Sequence, residues 1–117
     1  MKKVMLLFTM LLLVVSILTG FDIQQLTKEA NEGNAVSQFT LGLYYSTQED
    51  VENCVFWYEK AIENNNDSAM YNLGYLYYMG SLVEKDEQKG LELLRKSAEL
   101  KNSLAIFFLQ NMHLIDE

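Results

Sequence analysis

One cysteine, one histidine, a knot of carboxylates and a run of tyrosines are the residues of this 117-residue chain that could carry chemistry. Cys54 is the only thiol, so it has no partner for an internal disulfide. Outside the cytosol a lone thiol would invite redox chemistry or an intermolecular bridge. The competing reading is a small, buried residue, and the repeat described below favours it. His113 has no second histidine to share a metal ion, and no serine or cysteine nucleophile stands at a recognisable spacing from it. Glu84, Asp86 and Glu87 lie close together, but a calcium loop needs regularly alternating ligands and a glycine, which Glu84-Lys85-Asp86-Glu87 lacks. Negative charge at that place suits the start of a helix. We therefore expect no catalytic residues, no cofactor and no metal, and do not expect an enzyme.

Half of the residues are hydrophobic, Pro is absent and Gly occurs six times. This composition favours helices over a turn-rich β fold, and the length suits one domain able to bury a core. The formal net charge is −7. Removing Lys2 and Lys3 takes it to −7 − 2 = −9 for the remainder. That balance argues against nucleic acid, because phosphate binding requires Lys and Arg to displace counterions.

Residues 1–20 read differently from 21–117. Lys2 and Lys3 precede an apolar run from Val4 to Val15 and then Ser16-Ile17-Leu18-Thr19-Gly20, the layout of a secretory signal. A cut after Gly20 would put Leu18 where a small residue is preferred, and Phe21 stands where a lipoprotein signal needs Cys. Val4 to Phe21 is 18 residues, near the lower limit for crossing a bilayer, so an uncleaved inner-membrane anchor is the alternative. Either form puts the acidic part outside the cytosol, periplasmic or secreted after cleavage, with Lys2 and Lys3 inside.

From residue 21 onward the chain repeats itself. Lys28-Glu29-Ala30, Lys60-Ala61-Ile62 and Lys96-Ser97-Ala98 are spaced by 32 and then 36 residues. The segments Ser37–Gly42, Ala69–Gly74 and Ala105–Gln110 align at the same offsets, each with a small residue, an aromatic two later and a leucine four later. Such periods mark helical repeats. The pattern predicts six helices over about 22–32, 35–46, 50–64, 67–79, 86–100 and 103–114. Gly33, Asn64-Asn65-Asn66 and Lys101-Asn102 mark turns, and Asp67 and Asp86 stand at N-cap positions. Small residues at Ala69, Gly74, Gly90 and Ala105 predict close helix crossings.

On these residues the chain resembles the Sel-one-like repeat family, a branch of the tetratricopeptide-like repeats. Residues 66–100 carry the resemblance best, through Ala69, Tyr71, Leu73-Gly74, Tyr77, Gly80, Val83, Asp86, Lys89, Lys96 and Ala98. Residues 33–64 match in part, through Ser37, Phe39, Leu41-Gly42, Tyr45, Asp50, Trp57-Tyr58 and Lys60-Ala61, with four residues fewer between Tyr45 and Asp50. The tail keeps Ala105, Phe107 and Leu109, and His113 stands at a tyrosine position. The resemblance implies an all-α superhelix of about two full repeats with a partial repeat at each end. It also implies that Cys54, which falls on the position of Gly90, is buried.

The register assigns Tyr45, Tyr58, Tyr71 and Tyr77 to packing. Tyr75 and Tyr78 are left over, with Leu43, Met70 and Phe108 at other variable positions. Aromatic and methionine side chains beside acidic residues make a protein-binding surface. The expectation is thus a noncatalytic adaptor that docks a protein or peptide, with its acid selecting a basic face. A periplasmic immunity protein against a secreted toxin such as a lipase, or a hydrolase of the repeat family, are the alternatives that the resemblance suggests.

Overall fold

The computed structural model describes residues 1–19 and 22–116, without the side chains of Ser16, Leu18 and Thr19. Within them lie seven helices: α1 (Lys2–Thr19), α2 (Ile23–Asn31), α3 (Ala35–Thr47), α4 (Val51–Glu63), α5 (Asp67–Met79), α6 (Glu87–Glu99) and α7 (Ser103–Asn111). From α2 to α7 each helix packs on the next in sequence, and α3 also touches α5. This is the expected stack of helix pairs, in which each repeat buries its apolar face on its neighbour.

Short connections hold because one residue closes each helix while the next opens the following one. Gly33, Asn65 and Lys101 share one register position and all adopt left-handed backbone, with φ of 94°, 59° and 67°. After each, the N–H of Asn34, Asn66 or Asn102 reaches back to the carbonyl of Glu29, Ala61 or Ser97. The same asparagine then caps the next helix, its side chain accepting from the N–H of Ser37, Ala69 or Ala105. Asn66, not Asp67, is therefore the N-cap of α5, a correction to the expectation. Asp67 is the first helical residue, where it takes bonds from the Ser97 hydroxyl and the Asn102 amide. Asp86 does cap α6, as expected.

The connections inside the two repeats differ by four residues and close on the same bond. Asp50 N–H donates to the Tyr45 carbonyl at 3.0 Å, and Asp86 N–H donates to the Tyr77 carbonyl at 2.8 Å. The extra residues form a bulge over Gly80–Lys85, in which Gly80 (φ 66°) lies so close to Lys85 that a Cβ would come within 2.7 Å of it.

The core is built from the repeated positions. Leu41, Leu73 and Leu109 are buried, as are Ser37, Ala69 and Ala105. One cluster joins Cys54, Tyr58, Ala61, Ala69 and Leu73, and a second joins Ala30, Leu41 and Trp57. The predicted close crossing is present between α5 and α6, where a Cβ on Gly90 would stand 2.5 Å from the Tyr78 backbone nitrogen.

α1 is apolar, and its side chains from Val4 to Val15 are exposed. Among the described residues no helix is long and apolar enough to cross a membrane, so the anchor expectation finds no support here. The cleavage region at Gly20-Phe21 lies outside the described residues.

Candidate functional site

The residues first considered for chemistry are taken up by the fold. Cys54 has no exposed surface. Burial, followed by the negative charge of Asp50, pushes its thiol up to about 11, so the nucleophilic thiolate does not form at neutral pH. His113 is exposed in left-handed backbone just beyond α7, where its N–H closes the helix on the Gln110 carbonyl. Asp86 accepts the Lys89 N–H as a cap, and Glu87 pairs with Lys85 at 3.0 Å on the surface, an ion pair worth little. No group of three or more His, Cys, Asp or Glu among the described residues could hold a metal ion.

What the fold assembles instead is an aromatic strip. Phe108 on α7 receives Tyr75 and Tyr78 of α5 at centroid distances of 5.7 and 5.4 Å, both edge to face. Tyr71 adds a tilted contact to Tyr75 at 6.2 Å. Edge-to-face pairs at such distances hold rings in fixed orientations. Burial raises the Tyr71 phenol, with a further push from Tyr75. Tyr75 remains 37% exposed, and Tyr78 and Phe108 are half-buried, so the rings keep free surface while bracing one another. Three of the five predicted residues are thereby brought together. Leu43, exposed on α3, occupies the position one repeat before Tyr75.

Met70 is a correction. It is only 5% exposed, because its register position, shared with Gln38, points into the stack. Gln38 shows why the position is closed: its amide donates to the Ala30 carbonyl and accepts from Asn64, joining α3 to the helices on either side. Phe107 is the opposite case. It shares its register position with Phe39 and Tyr71, yet it is 64% exposed. Phe39 packs on Tyr58 of the following helix, whereas no helix follows α7 among the described residues. Tyr71 was also missed as part of the strip, since the register alone marks it as core. Its spacing of four from Tyr75 was the available signal.

The packing tyrosines are held by polar contacts. Asn72 donates to the Tyr58 hydroxyl at 3.2 Å, and burial pushes that phenol up to about 12. Lys89 lies over the Tyr77 ring at 4.3 Å and donates to its hydroxyl, which raises the lysine.

With this geometry the chain matches known proteins. The model of the Sel1 repeat family matches residues 35–66 and 67–102, the same two units read from the offsets. A protective antigen present in uropathogenic Escherichia coli strains, displaying an SLR fold, is 36% identical over 71% of this chain with a TM-score of 0.65. A Sel1 repeat protein from Oxalobacter formigenes shares the fold at 23% identity over 75% of this chain, with a TM-score of 0.60. The chain spans 18% and 45% of the lengths of those two proteins. Two consecutive matched repeats, and a relative this similar over most of the chain, place it by descent as well as by shape: the chain belongs to the Sel1 repeat family.

Proposed function

We propose that this protein is an exported, noncatalytic docking module that holds a protein or peptide partner on the strip formed by Tyr75, Tyr78 and Phe108, with Leu43 extending it. Sel1 repeat proteins are generally scaffolds for protein interaction, which sets the class. The observation that carries the assignment to these residues is the braced, half-exposed ring cluster joining α5 to α7. Rigid aromatic rings with free faces lose little entropy on binding and are the side chains that dominate interface energies. The formal charge of −7 favours a partner with a basic face and speeds its approach. Export rests on the signal layout of residues 1–20.

The test is a photo-crosslinker placed at Tyr75 of the full chain in cells. A discrete adduct to one protein, lost on Tyr78→Ala and retained on Glu52→Ala, is the expected result. An adduct unaffected by Tyr78→Ala, or none at all, removes the strip as the docking site. Sequencing the amino terminus of the cell-extracted protein checks export separately, with a mature start near residue 21 expected.

A further inference from the structure

Tyr75 belongs to a row along α5 as well as to the ring cluster. Asn72, Tyr75 and Met79 stand at i, i+3 and i+7, one face of a helix, and Thr40, Leu43 and Thr47 stand 32 residues earlier on α3. Leu43, Tyr75 and Met79 are exposed, and Asn72 is half-buried beside them. α3 and α5 touch, so the two rows are neighbours. Both lie inside the stack, with α2 before them in the chain and α7 after.

The free hydrogen-bonding capacity of these rows is concentrated in one side chain. The Thr40 hydroxyl gives its proton to the Val36 carbonyl at 2.8 Å, and the Thr47 hydroxyl gives its own to the Tyr44 carbonyl at 2.6 Å. Asn72 differs. One of its amide N–H bonds goes to the Tyr58 hydroxyl at 3.2 Å, while the other N–H and the carbonyl oxygen have no partner among the described residues. A side-chain amide with a free donor and a free acceptor matches a peptide group, which offers one of each. Charge points the same way. α3 has no charged side chain, and α5 has only Asp67, at the opposite end from Met79. No cation stands in the rows to hold a carboxylate or a phosphate, so they suit a neutral group.

Building on the docking role assigned to the strip, we propose that the partner segment crosses α3 and α5 as an extended chain. Asn72 bonds its main chain, and Leu43, Tyr75 and Met79 hold its apolar side chains. A helical segment spends its N–H and C=O groups internally and has none to offer Asn72. An extended chain leaves them free and sends alternate side chains to the same side. The segment is therefore uncharged where it crosses the rows, and the basic residues that the acidic chain attracts flank it.

The spacing of crosslinks along the partner reads its conformation. The full chain carries p-benzoylphenylalanine at Leu43 or at Tyr75 in cells, and the modified residues of the partner are mapped by mass spectrometry. Packed helices lie about 8–10 Å apart and an extended chain rises about 3.3 Å per residue, so the two sites should fall about three residues apart. A helical segment, at about 1.5 Å per residue, puts them about six apart, which overturns the proposal. Adducts from the two positions on different proteins overturn it too. With the crosslinker at Tyr75, Asn72→Ala should lower the adduct yield about fivefold, the effect of losing main-chain hydrogen bonds. Tyr58→Phe removes the same internal bond but keeps the amide, so it should lower the yield less than twofold. Equal losses make Asn72 a structural residue and overturn the proposal. These failures leave the strip as the docking site, whereas the absence of any Tyr75 adduct removes both.

Discussion

The two repeats close their helix pairs by opposite means. In residues 35–66 a ring lies over a glycine: the buried Tyr58 of α4 covers Gly42 of α3, with Cys54 beside it. In residues 67–102 backbone lies on backbone, with Gly90 of α6 against Tyr78 and Gly74 of α5, and with Leu94 standing where the first repeat has Tyr58. A glycine in the middle of a helix costs about 1 kcal/mol against alanine, and each repeat tolerates that for a different neighbour. A shared register therefore does not imply a shared contact. The same leucine-glycine pair lies under a tyrosine ring in one copy and against the Gly90 backbone and two leucine side chains in the other.

The comparison can be broken most forcefully at Gly90. A Cβ there meets the nitrogen and Cα of Tyr78 at 2.5 and 2.8 Å, atoms that cannot move without parting α5 from α6. Gly90→Ala should cost about 2–3 kcal/mol in urea unfolding despite its better helix propensity. No side-chain substitution nearby should recover the loss.

Alkaline pH should separate the repeats next. Cys54 and Tyr58 are buried and neutral, with pKa values pushed up to about 11 and about 12 from the ordinary 9.0 and 10.0. In the unfolded chain both lose protons at lower pH than in the folded one. Stability is therefore little affected below about pH 9 and falls as pH rises toward the folded values, by about 3–4 kcal/mol by pH 11 if both groups act in full. The second repeat has Gly90 and Leu94 at these positions and nothing there to titrate. The Cys54→Ala, Tyr58→Phe double variant should flatten the fall, measured as the urea midpoint against pH. Trp57 is the sole tryptophan and is nearly buried, which makes it a reporter within the first repeat.

Gly42→Ala sharpens the contrast with Gly90→Ala. Its obstacle is the Tyr58 ring, a side chain, so the cost should be about 1–2 kcal/mol and should be relieved by adopting the second repeat's solution. A double-mutant cycle with Tyr58→Leu should show favourable coupling of about 1 kcal/mol. Additivity would mean that the ring is not what Gly42 makes room for.

The smallest effect lies in the turns that the two repeats share. Lys101 holds the left-handed position that Gly33 fills with a residue suited to it. Lys101→Gly should stabilise by about 0.5–1 kcal/mol, seen as a rise in the urea midpoint, and Gly33→Lys should cost a similar amount.

Much of this organisation was legible before any coordinates. The offsets of 32 and 36 residues predicted the helices, the turns at Gly33, Asn65 and Lys101, and the burial of Cys54, because periodic small and apolar positions report a periodic packing requirement. The asparagine series Asn34, Asn66 and Asn102 was equally visible, and reading it would have avoided naming Asp67 as the cap of α5. The candidate surface was legible only in part. Tyr75, Tyr78 and Phe108 converge, while Met70, chosen by the same reasoning, is buried. Variable identity along a repeat does not distinguish a side chain facing solvent from one facing the next repeat.

The linear order of residues determined the number of repeats, where helices begin and end, and which positions must be small or apolar, since all of these follow from local capping chemistry and a helical period. Only the tertiary structure decided which equivalent positions acquire a neighbour. Phe39 finds Tyr58 because α4 follows α3, whereas Phe107, on the same register position, meets solvent because no helix follows α7 among the described residues. Burial belongs to a pair of surfaces, and a periodic sequence specifies one surface at a time.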